Sequence, residues 1–219
     1  MKLNQKNRDD LNRIVSALLG KAVSAYFDSF VYLSAYNPEI NKCRDSFVFK
    51  YSFYAIQERL IIATKKLIEK ATSDKITMFS ICDIVERSDF CDNKDDKEGI
   101  KYIYTDRLQR LFKSEYAKRL KNMRDILCHN LCKKSEIGCY CKDFMKVIEE
   151  CLDMLLDVRE QVLGLKDIDL QQIKDLAYKL AKDYWNCVNA GANKTKITQK
   201  DLQLADSFMG NVSKCATNV

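Results

Sequence analysis

"LNRIVSALLGKAVSAYFDSF", residues 11–30, decides the fold class. Its apolar residues Leu11, Ile14, Val15, Leu18, Leu19, Ala22, Val23, Tyr26, Phe27 and Phe30 recur at steps of three and four. That is the spacing of one face of an α-helix, not the alternation of a strand. A helix with such a stripe needs other apolar stripes to cover it, and the rest of the chain supplies them. This first helix is expected to end before Asn37–Pro38, because the residue before a proline avoids the helical region.

Working outward, the same periodicity predicts a second helix over about 45–71, with Phe47, Tyr51, Tyr54, Leu60, Ile61, Leu67 and Ile68 on its apolar side. The aromatics at this spacing read as core residues rather than stacking platforms. A short third helix is predicted over about 77–87. The charged stretch "RSDFCDNKDDKEG" (87–99) reads as a loop. A long fourth helix is predicted over about 102–129 and a fifth over about 142–163, joined by "NLCKKSEIGCYC". After Gly164 two further helical stretches follow, about 168–189 and about 199–210, with Trp185 packing the first of them. Nothing alternates cleanly enough to be a sheet. The expected architecture is all-α: a bundle of four or five core helices over residues 1–165, and a C-terminal helical extension, 166–219, packed on the same domain.

Composition agrees with this reading. One proline and six glycines are few for 219 residues, and tight turns and hairpins draw on both. The ten cysteines would fit a disulfide scaffold, but the start "MKLNQKNRDDLNR" carries no apolar signal core. No apolar run approaches the roughly 20 residues of a membrane span. The expectation is a cytoplasmic protein with mostly reduced thiols and no membrane partner. A net charge of +6 is too mild to establish nucleic-acid binding by itself.

The chain has one histidine, His129, near the predicted end of the fourth helix. Tyr116, Leu120, Met123 and Leu127 form that helix's apolar stripe, and His129 lies about 160° around from Leu127. The imidazole therefore points away from the stripe. Asp125, four residues earlier, shares its face and suits one ring nitrogen, favouring the charged form. Between Arg107 and Arg124 lie Arg110, Lys113, Lys118, Arg119 and Lys121, against the single acid Glu115. Such a run suits either a solvated helix face or a phosphate backbone. An imidazole moves protons near neutrality, and a guanidinium grips phosphate oxygens; together they suit attack of an RNA 2′-hydroxyl on its own phosphate. One chain supplies one imidazole, so two proton roles call for a two-fold dimer with both copies of Arg124 and His129 in one cleft.

"RDILCHN" (124–130) resembles the R-polar-x-x-x-H motif of HEPN domains, the all-helical family of prokaryotic toxin–antitoxin, abortive-infection and CRISPR-linked defence systems. The upstream "FYAIQERLIIATKKLIEKATSDKITMFSICDIV" (53–85) is similar to the early helices of the abortive-infection branch. The resemblance covers about residues 10–165. It implies catalytic roles for Arg124 and His129, with Asp125 at the variable polar position and Asn130 supporting the substrate or the ring. It implies an RNA substrate and, in the toxin branch, a cognate antitoxin protein; from the residues themselves, the basic run with Lys118, Arg119 and Lys121 would meet that RNA, and the mechanism calls for a homodimer and no cofactor. Many of those toxins carry a tyrosine two residues after the histidine; Leu131 stands there, which speaks against control by adenylylation of that tyrosine.

Two other readings fit the same stretch. Cys128, Cys132, Cys139 and Cys141 crowd around His129 and would suit zinc, although C-H-x-x-C-x6-C-x-C is an uncommon ligand spacing. Alternatively the cysteines are small buried apolar residues, and Arg124, Asp125 and His129 are a surface cluster on a catalytically inactive interaction protein.

Overall fold

Asn4 starts the first helix. Its side-chain oxygen accepts the Asn7 backbone N–H at 2.8 Å, satisfying one of the donors that a helix N-terminus leaves unpaired. In the computed structural model, which describes residues 3–38, 40, 43, 45–70, 76–87, 89–91, 93–120, 141–166 and 168–194, helix α1 then runs Gln5–Ser34. It stops short of Pro38, with the Ala35 N–H still bonded to the Val31 carbonyl. By length and composition α1 would pass for a membrane span, against the expectation above; 56% of its most apolar window is buried inside the bundle, as in a core helix.

The other helices are α2 (Phe47–Ile68), α3 (Phe79–Val85), α4 (Lys94–Ile100), α5 (Asp106–Lys113), α6 (115–120), α7 (Cys141–Asp157) and α8 (Leu170–Lys194). Wider π-type turns continue α4 into α5 over Lys101–Thr105 and extend α7 over Val158–Val162. Among the described residues there is no strand, only an isolated bridge between Leu3 and Cys91. The architecture is all-α.

Side-chain pairs fix how the helices run. Asp28 with Arg59 and Tyr32 with Gln57 show α1 and α2 antiparallel. Tyr26 with Glu149 and Arg8 with the Leu163 carbonyl show α1 and α7 antiparallel as well. α1 is thus the central element, touching α2, α3, α7 and α8. Its residues Leu11, Val15, Leu18, Ala22, Ala25 and Tyr26 are fully buried. Gly164 lets the chain reverse from α7 to α8: it sits at φ +69°, where a side chain is strained, and the Leu165 N–H bonds back to the Arg159 carbonyl. Trp185 of α8 is fully buried, donates its ring N–H to the Val31 carbonyl at 2.7 Å, and lies 4.6 Å from the Phe49 ring.

Three sequence expectations are corrected. The charged stretch 87–99 is not all loop: Asn93 caps α4 by accepting the Asp95 N–H, and Asp95 and Asp96 in the first turn suit the positive end of the helix. The fourth helix is not continuous from 102. Ser114 turns extended (ψ 156°) and its hydroxyl accepts the Ala117 N–H at 3.2 Å, ending α5 and capping α6. Phe47, Tyr51 and Tyr54 are not core residues, being 39%, 67% and 48% exposed; Phe49, Ile56, Leu60, Ile61 and Leu67 face inward instead.

The cysteines divide by burial. Cys82 and Cys151 are buried, and the loss of solvation pushes their thiols up to about 11 and about 12, whereas Cys187 is exposed. Thiolate is the reacting form, so iodoacetamide at neutral pH is expected to label Cys187 roughly 100-fold faster than Cys82 or Cys151. Peptide mass spectrometry after brief native labelling reads the ratio, and equal rates would contradict a closed core.

Candidate functional site

The motif residues Arg124, Asp125, His129 and Asn130 lie outside the described residues, as do Lys121, Cys128, Cys132 and Cys139; Cys141 opens α7. What the structure places is the frame on either side of them. Arg107 sits at the start of α5 against three carboxylates that recur along one face of α7. Its guanidinium donates to Asp157 at 2.7 Å, Asp153 at 2.7 Å and Glu150 at 3.1 Å. Burial works against its charge, yet the bonds to Asp153 and Glu150 raise its pKa above the ordinary arginine value. Arg107, the first cation of the basic run, is therefore a structural clamp.

Further along, Lys146 donates to the Tyr116 hydroxyl at 3.1 Å and lies 4.7 Å from that ring's centroid. Arg119 stands 3.6 Å from the buried Asp143 carboxylate and 5.6 Å from the same ring. Partner numbers on α7 fall from 157 to 143 as those on α5 and α6 rise from 107 to 119, so α7 runs antiparallel to them. The described chain leaves at Leu120 and returns at Cys141 on the same end of this pair.

Of the two described residues expected to meet RNA, Lys118 is solvent-facing and among the described residues bridges the exposed Glu115 at 2.8 Å, a contact worth little in water. Arg119 is tied to Asp143 and the Tyr116 ring. Behind them a groove of about 790 Å³ opens between α5, α7 and α8. Here Arg107, Arg110, Lys146 and Lys174 face Glu149, Glu150 and Asp153, so positive and negative groups largely offset one another. At its floor the Tyr26 hydroxyl donates to Glu149 at 2.9 Å, and Lys174 stands 3.3 Å from the same oxygen. Burial first, then the Glu149 carboxylate, raises the phenol well above its usual range and keeps it a neutral donor. In this solvent-open groove the carboxylates are already engaged, Asp153 and Glu150 by Arg107 and Glu149 by Tyr26 and Lys174.

Sequence reading missed Tyr116 as a polar partner, placing it on the apolar stripe, and missed Asp143 and Lys146 altogether. Their pairing across two helices leaves no trace in local spacing. Among the described residues no three His, Cys, Asp or Glu side chains gather as a metal site. Comparison of the chain with protein-family models, with curated proteins and with solved structures gives no match.

Proposed function

We propose that this chain is a metal-independent endoribonuclease of the HEPN type, acting in the cytoplasm as a homodimer in a toxin or abortive-infection role. The observation that carries the reading is Arg124 and His129 at the R-polar-x-x-x-H spacing, in an all-α chain whose flanking helices run antiparallel. In the reaction the 2′-hydroxyl oxygen bonds to the adjacent phosphorus while the bond to the 5′ oxygen breaks. One imidazole takes the hydroxyl proton, and the protonated imidazole of the second copy gives a proton to the leaving oxygen. The two arginines balance charge on the non-bridging oxygens. Asp125, four residues before His129, would hold the histidine ring in this reading and favour its charged form. A cognate antitoxin protein would restrain the activity.

The expected result with purified full-length protein and unstructured RNA is cleavage that survives excess EDTA. The products would end in a 2′,3′-cyclic phosphate and a 5′-hydroxyl, and light scattering would give a dimer mass. Cleavage that stops in EDTA and returns with zinc, together with stoichiometric zinc by elemental analysis, would instead establish the Cys/His metal reading.

A further inference from the structure

The basic run of α5 and α6 does not act alone. A groove of about 650 Å³ lies between it and the C-terminal end of α2, and it brings Lys65 and Lys70 opposite Lys113 and Lys118. Among the described residues Glu69 is the one acid lining it. Glu69 pairs with Lys65 at 3.3 Å and Glu115 pairs with Lys118, while Lys70 and Lys113 are exposed and have no carboxylate partner among the described residues. Between these two lysines the Phe112 ring stands 37% exposed, its edge fixed at 90° against Phe79 with centroids 5.4 Å apart. Lys70 rides 5.8 Å from the Phe112 centroid, and its flexible stem lets the ammonium swing to a neighbouring phosphate.

We infer that this groove is a track for single-stranded RNA, with Phe112 stacking one base and Lys70 and Lys113 holding the phosphates beside it. The inference rests on the endoribonuclease reading for its substrate class. Charge complementarity selects a polyanion, since among the described residues four lysines line the groove with one glutamate, and Lys70 and Lys113 have no carboxylate partner there. The floor selects a nucleotide over an amphipathic helix. Ile68, Ala117 and Leu120 are already 6%, 5% and 3% exposed, which leaves the one ring as the open aromatic face. A single π-face beside paired cations is how single strands are bound without reading sequence. Leu120 lines the groove and stands four residues before Arg124 in the sequence.

The test uses the full chain carrying His129→Ala, so that bound RNA is not consumed, with a fluorescein-labelled oligo-uridine 12-mer read by anisotropy over a salt series. Lys70→Ala with Lys113→Ala is expected to make the slope of log K against log salt shallower by about 1.4. Phe112→Leu is expected to weaken binding roughly tenfold with the slope unchanged, and Phe112→Tyr to restore it. Lys179→Ala with Lys182→Ala, on the exposed face of α8, should change neither. An equal loss in that α8 pair, or normal binding by Phe112→Leu, overturns the track. So does a polyglutamate peptide that binds through Lys70 and Lys113 where oligo-uridine does not, which would mark a protein partner. The two readings separate cleanly. If the wild-type chain cuts no RNA but the binding pattern holds, the nuclease fails and the track stands. If it cuts RNA and the track variants keep their KM, the track fails and the nuclease stands.

Discussion

RNA cleavage by the His129→Ala protein is expected to fall by about 10²–10⁴-fold, the usual span for removing a general acid or base. The effect should be near the upper end because the chain has no second histidine to stand in, and in a homodimer one substitution removes both proton carriers together. Arg124→Ala is expected to cost about 10²–10³-fold through the phosphate charge left uncompensated. Both variants should keep the wild-type melting temperature and dimer mass. The pH profile of kcat/KM should be bell-shaped around neutrality in the wild type, since one imidazole must be neutral and the other charged. Cleavage persisting in both variants at the wild-type rate would defeat the proposed mechanism.

The largest stability effect is expected at Trp185→Ala, about 3–5 kcal/mol. The residue is fully buried between α1, α2 and α8, and removing it opens a cavity beside Phe49 and strips a hydrogen bond from the Val31 carbonyl. For a chain of this length the loss corresponds to a melting temperature lower by roughly 10–15 °C. Trp185→Phe keeps most of the volume and should cost about 1–2 kcal/mol, the size of the hydrogen bond and the smaller ring. A Trp185→Ala protein that melts like the wild type would mean that α8 contributes nothing to the bundle.

The helical character of the chain was legible because α1 carries apolar residues at helical spacing along its length, and Leu11, Val15, Leu18 and Ala22 are buried where that spacing put them. α2 was harder. Its first half is apolar on two sides, and periodicity alone cannot say which side meets α1; Phe49 and Ile56 turned inward while Phe47, Tyr51 and Tyr54 stayed in solvent. The break at Ser114 was hidden because a serine within a helical pattern reads as neutral until its hydroxyl is seen capping the next turn. Of the candidate site, the residue types at 124–130 were legible and the division of labour among the cations was not. Arg107 and Lys113 look alike in the sequence, yet one meets three carboxylates across the bundle and the other faces solvent. Lys70 belongs to a different helix end and had no local signal to join it to Lys113.

The antiparallel pairing of α5 and α6 with α7, pinned by Arg107 and by Lys146 on Tyr116, bears on how such a protein diversifies. Because separate contacts at Arg107, Tyr116 and Arg119 hold one register along the pair, loss of any single one leaves the others to keep α7 against α5 and α6, so these positions can change one at a time.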